Sequence, residues 1–193
     1  PVFEKQIQLI NRLSPDLVVD TGDLIWGHCD PDMTTREWDA FDAAIDGFDA
    51  PFYMVVGNHD IWDGPSRETY IRRYGPEYYS FDHKGAHFIV LSTEVAGHSP
   101  RIAGAQLEWL ERDLAAAAAR TPKYVFLHQP LWAYGGKTPG FVERRRDDAV
   151  HDSWMQSVHP LLKKYGVHVV FGGHWHMYLA QVIDGIRYVT TGG

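Results

Sequence analysis

Four apolar runs in this chain each end in a cluster of small and polar residues. "DLVV", "PFYMVV", "KYVFLH" and "VHVVF" run into "DTGD", "GNHD", "QP" and "GGHWH". Short apolar runs bounded by glycine and proline read as buried strands, and the segments between them carry helical spacing. Strands separated by helices imply parallel pairing through right-handed crossovers, hence a layered α/β core. In such a sheet the carboxyl ends of the strands share one rim, and ligands bind along that rim. The four clusters, distant in sequence, are therefore expected to meet at one edge of the fold.

The helical spacing is read from particular side chains. Phe3, Ile7, Ile10 and Leu13 share one face before Pro15 ends the pattern. "TTREWDAFDAAIDGF" places Trp38, Phe41, Ile45 and Phe48 together behind a threonine cap, and "PSRETYIRRY" reads as a short capped helix. Residues 105–120 form a strong helix with Leu107, Leu110 and Leu114 inward, and 151–165 a helix with a break or restart at Pro160. Hairpins are expected at Lys84 and Gly85 and around Asp184 and Gly185. Residues 133–148, rich in glycine and charge, read as a long surface loop.

At 193 residues with 45% hydrophobic composition, the chain suits one domain with a substantial core, spanning 1–193. A net charge of −7 argues against nucleic acid or an anionic membrane surface as partner. A small anionic substrate would then need a cation to draw it in. The single cysteine, Cys29, excludes an internal disulfide framework and a thiolate-rich zinc site. No stretch is long and apolar enough to cross a membrane, and the opening residues carry no basic-then-apolar pattern. The chain opens on Pro1 rather than methionine, so a removed leader and the compartment stay open.

The clusters supply Asp23, Asn58, His128, His174 and His176. His174 and His176 stand two apart, and residues two apart on an extended chain point the same way, so both imidazoles can face one point. A mixed oxygen and nitrogen set without sulfur suits manganese, iron or zinc better than calcium. Gly22, Gly57, Gly172 and Gly173 precede these residues, where a missing side chain permits tight turns and close approach.

"TGDL", "GNHD", the histidine of "FLHQP" and "GGHWH", in this order and these settings, resemble the calcineurin-like metallophosphoesterase family, which includes the purple acid phosphatases. The resemblance covers most of the chain. It implies a two-sheet β-sandwich flanked by helices, in α/β/β/α order, that hydrolyses a small phosphate ester with two divalent transition-metal ions. It implies that Asp23 bridges the ions, that Asn58, His128 and His174 complete one site, and that His176 serves the other. His59 would contact the phosphate and protonate the leaving oxygen, and Asp60 would orient its ring. Two such ions stabilise the entering and leaving oxygens and lower the pKa of a bridging water.

The chain departs from the family in two places. The family carries an early Asp-x-His on a strand before the first helix, and no such motif lies upstream of Asp23. The chain is therefore expected to be truncated at both ends, with the His176 site depleted. Trp26 stands where many members have aspartate and purple acid phosphatases have a ligating tyrosine, so a purple iron site is not expected. Trp26 and His28 are expected to wall the pocket, with Trp132 and Tyr134 lining its mouth for substrate contact. Arg144, Arg145 and Arg146 read as a solvated face, and His83, His87, His98, His151, His159 and His168 as structural or surface residues. A non-catalytic scaffold of the same fold and a mononuclear metal-binding protein remain the alternatives.

Overall fold

A computed structural model describes residues 2–28, 30–94, 100–135 and 147–191. Cys29, His98 and Arg144–Arg146, with most of the expected loop, lie outside the described residues. The element order is α1 (Val2–Arg12), β1 (Val18–Val19), α2 (Pro31–Ile45), β2 (Phe52–Tyr53), α3 (Gly64–Tyr74), β3 (Tyr79–His83) and β4 (Ala86–Val90). There follow α4 (Gly104–Ala116), β5 (Lys123–Phe126), α5 (Asp148–Ser153), α6 (His159–Lys164), β6 (Val169–Gly172), β7 (Leu179–Ile183) and β8 (Ile186–Thr190).

Two sheets form. β1 and β2 pair in parallel, and the larger sheet has the order β3-β4-β5-β6-β8-β7. Its centre is parallel, with β4 beside β5, β5 beside β6 and β6 beside β8. The hairpins β3–β4 and β7–β8 close its edges. Both turn where expected, with Lys84 and Asp184 at φ 47° and 50° and a glycine after each. This is the α/β architecture of helices flanking a mixed sheet that the sequence implies.

Period-two alternation explains the layers. Phe88, Phe126 and Phe171 point one way from the large sheet, towards Val19 and Val55 beside the small one. Their rings form a stack across strands, with centroids 4.9 Å apart for Phe81–Phe88 and 5.1 Å for Phe126–Phe171, and Tyr53 from β2 lies 3.7 Å from Phe81. Ile89, Val125, Val170 and Tyr188 point the other way and pack with Leu110, Leu114, Trp154 and Leu162. Helices α2 and α3 cover the outer side of the small sheet through Trp38, Phe41 and Tyr70.

Three local details differ from expectation. β1 and β2 are shorter than their apolar runs; β2 stops at Tyr53 because the Tyr79 hydroxyl accepts the Met54 N–H at 3.1 Å and donates to the Met54 carbonyl at 3.0 Å, replacing ladder partners. α2 starts earlier than its threonines: Pro31 takes the first turn, where its missing N–H costs nothing, and the Asp30 carboxylate caps Asp32 and Met33. The expected restart at Pro160 comes one residue earlier, where α6 begins at His159 with Pro160 in its first turn. Residues Trp154–Val158 widen into a π turn in which His159 N–H reaches back to the Trp154 carbonyl, which accommodates a proline that cannot donate.

Candidate metal centre

The loops after β1, β2, β5 and β6 meet on one rim. His128 follows β5 and is 1% exposed, and its Nδ1 lies 2.7 Å from the Thr21 carbonyl in the loop after β1. A carbonyl only accepts, so Nδ1 carries a proton and Nε2 is the ring atom turned to the cluster; burial disfavours a second proton there, but the Asp23 carboxylate more than offsets it and raises the ring's pKa. Three further atoms converge on that nitrogen, each at 3.2 Å: Asp23 Oδ1, Asn58 Oδ1 and His174 Nδ1. Potential ligand atoms from a carboxylate, an amide and two imidazoles thus face one small space. A divalent cation could be held by all four at once, since oxygen and imidazole nitrogen are both ordinary ligands of such ions. Among the described residues, Asp23, His128 and His174 are the acidic and imidazole groups that cluster this way.

The backbone works to bring these groups in. Asp23 and His174 adopt left-handed conformations, φ 62° and 63°, which are strained for residues with side chains. A Cβ on Gly57 would lie 2.4 Å from both the N and Oδ1 of Asp23, so only glycine lets the two loops touch. Gly172 has a different use from the one expected, since a Cβ there would meet the indole of Trp132 at 2.8 Å. The Asp23 carboxylate also accepts the His59 N–H at 3.0 Å. Burial opposes its charge, yet His128 and the His59 N–H hold its pKa below the usual range.

Asp60 is fully buried, and its hydrogen bonds go to backbone rather than to the His59 ring. Its two oxygens accept the N–H of Gly57 at 2.7 Å, Leu24 at 2.8 Å, Asp23 at 3.1 Å and Ile25 at 3.2 Å. Burial pushes its pKa up to about 8, while those N–H groups pull the other way. Every partner is a donor, so the bonding pattern is that of a carboxylate. The His59 ring is held instead by the Trp26 carbonyl, 2.5 Å from Nδ1, a bond that does not engage Nε2. The expected orienting role of Asp60 is thus corrected: the residue braces two loops.

A cavity of ≈ 320 Å³ opens beside the cluster, walled by Asp20, Thr21, Asp23, His128, His174 and His176, with Phe3, Gln6 and Phe41 from the covering helices. His176 is exposed on this wall and stands outside the cluster of three. Asp20 accepts the Gly22 N–H at 2.7 Å, and burial raises its pKa to about 6. His28 lies outside the cavity wall, with its ring 5.3 Å from that of His59 and stacked 4.9 Å from that of Trp62.

Trp132 does not line the mouth. The 3-10 turn Leu131–Tyr134 folds it inward, where it is 1% exposed and packs 5.0 Å from Tyr188. Tyr134 is half-buried, its ring 5.4 Å from Trp175 and its hydroxyl donating to Gln129 Oε1 at 2.7 Å. That contact leads to a residue missed in the sequence. Glu94 accepts from Gln129 Nε2 at 3.0 Å and from Thr93 Oγ1 at 2.7 Å, and burial raises its pKa. It follows β4, whose "VLSTE" ends on the same rim without a histidine or glycine to mark it.

The calcineurin-like phosphoesterase family model matches residues 2–178. The chain belongs to the calcineurin-like phosphoesterase family. Among curated phosphoesterase relatives, the human serine/threonine-protein phosphatase CPPED1 is 33% identical over 195 residues, covering 90% of this chain and 58% of its own. Arabidopsis thaliana purple acid phosphatase 23 is 28% identical, over 85% of this chain and 41% of its own length. The chain thus spans little more than half the length of the CPPED1 relatives it matches. In fold it is similar to a dimetal phosphatase from Danio rerio, with a TM-score of 0.76 and 16% identity over 99% of this chain and 76% of that one.

Proposed function

We propose that this chain carries the catalytic core of a metal-dependent hydrolase of small phosphoric esters. The supporting observation is the convergence of Asp23 Oδ1, Asn58 Oδ1 and His174 Nδ1 on Nε2 of His128. These four atoms would hold a divalent cation. When bound, such an ion supplies Lewis acidity to the phosphoryl oxygens and makes water more acidic. His176, exposed on the cavity wall, would serve a second ion.

The remaining groups have roles that their bonds suggest. The Trp26 carbonyl accepts from His59 Nδ1 in either charge state of the ring, so Nε2 can bind a phosphoryl oxygen and pass a proton to the leaving oxygen. Asp60 fixes the loops that carry Asp23, Asn58 and His59. In hydrolysis a water oxygen bonds to phosphorus and releases its proton to solvent, while the bond from phosphorus to the leaving oxygen breaks and protonated His59 gives its Nε2 proton to that oxygen, to be reprotonated from solvent afterwards.

The test is hydrolysis of mono- and bis-nitrophenyl phosphate with manganese by the chain and by His59→Ala. Loss of about 10²–10⁴-fold in kcat is expected for the variant. Equal rates would remove His59 from the reaction, and no hydrolysis of either ester by the metal-loaded parent would defeat the assignment.

A further inference from the structure

Trp26 is 79% exposed, yet the chain around it is clamped. Its carbonyl takes the His59 ring N–H, and the next residue, Gly27, donates its N–H to Glu37 Oε2 at 2.9 Å. Gly27 also lies hard against the His59 backbone: a Cβ on it would fall 1.9 Å from the His59 carbonyl oxygen, and its φ of 64° suits glycine. The indole is therefore mounted on a fixed base, with its ring centroid 5.9 Å from that of His59. His28 also lies against His59, with ring centroids 5.3 Å apart, and is itself stacked 4.9 Å from Trp62.

A large apolar ring left in water is costly unless something covers it, and an aromatic face held beside a reacting group offers a preorganised contact. We propose that Trp26 determines leaving-group specificity, its indole forming the platform on which a planar aromatic leaving group rests while the phosphoryl group sits at His59 and the four-atom cluster. The favoured substrates are aryl phosphate esters. This rests on the hydrolase reading and adds the substrate class to it. Apolar stacking also suits a chain of net charge −7, which repels leaving groups with negative charge.

The experiment compares phenyl phosphate with propyl phosphate as substrates of the metal-loaded parent, Trp26→Ala and Trp26→Phe. The ratio of the two kcat/KM values, compared between proteins, cancels the intrinsic difference in leaving-group chemistry. Trp26→Ala should lower that ratio by about tenfold, and Trp26→Phe should restore most of it. Titration with phenylphosphonate and methylphosphonate gives a readout without turnover: the parent should prefer the phenyl compound, and Trp26→Ala should lose the preference. An unchanged ratio in Trp26→Ala, with the parent active, overturns the platform and leaves the hydrolase reading standing. A parent that neither hydrolyses the esters nor binds the phosphonates defeats both.

Discussion

The Asp60 carboxylate accepts the backbone N–H of Asp23 at 3.1 Å, tying the loop after β2 to the loop after β1. With Gly57, Leu24 and Ile25 also donating, four N–H groups depend on one side chain. An asparagine has one oxygen for these donors, and its amide nitrogen would face N–H groups. Asp60→Asn is therefore expected to lose about 2–4 kcal/mol of stability, the scale of a buried charge-assisted network broken at one partner. Urea unfolding measures this. Parental stability combined with slowed hydrolysis would instead return Asp60 to the role of orienting His59.

Metal removal gives the second expectation. Four potential ligand atoms gathered in one space give a divalent cation a preformed site, and binding there stabilises the fold that holds it. A divalent ion at about 100 times its Kd stabilises the fold by about 2.7 kcal/mol, or roughly 5–10 °C in Tm for a chain of this size. Melting after chelation and after addition of zinc or manganese should show that interval, and His174→Ala should shrink it. A melting point indifferent to metal would mean the cluster is closed by protons.

Much of this arrangement was legible because it rests on backbone topology. Strand runs, hairpin turns and the gathering of polar clusters at carboxyl ends follow from period-two and helical spacing, which a sequence displays directly. Asp23, Asn58, His128 and His174 belong to that layer. What was hidden depends on the direction of single side chains. Trp132 follows His128 by four residues, but a 3-10 turn after Pro130 sends it under Gly172 into the core. Asp60 sits beside His59 and turns away from it. Thr21 fixes the His128 tautomer through its carbonyl, an atom every residue has, so no letter could announce it.

His87 carries a pH expectation independent of the metal cluster. Its ring is buried on β4 and bridges Asp113 at 2.9 Å and Asp82 at 2.8 Å, and the bonds to Asp113 and then Asp82 outweigh burial to raise its pKa. A histidine whose folded pKa exceeds its unfolded value of about 6.5 adds stability that is fully present below that value. The contribution is lost as pH rises through the folded pKa. His87→Gln should therefore cost most at acid pH, about 1.5–3 kcal/mol, and progressively less above neutrality. Denaturation of parent and variant from pH 5.5 to 9 reads the difference, and a constant gap across that range would remove the charge from the account.

Gly57 provides the sharpest steric test of the centre, because its backbone is not in a left-handed conformation and alanine is locally permitted. The obstacle is the Asp23 carboxylate and N–H, each 2.4 Å from the would-be methyl. Either Asp23 moves off its position 3.2 Å from His128 or the two loops part. Gly57→Ala should cost about 1–3 kcal/mol in stability and weaken metal binding at least tenfold, since ligand atoms displaced by a few tenths of an ångström no longer share one centre. Gly64→Ala, at the start of α3 with nothing within 4 Å of the added carbon, is the matched control and should be neutral or stabilising by up to about 1 kcal/mol. Calorimetric titration of both variants with zinc decides the matter. Equal affinities would mean that the contact between the two loops does not hold Asp23 in place.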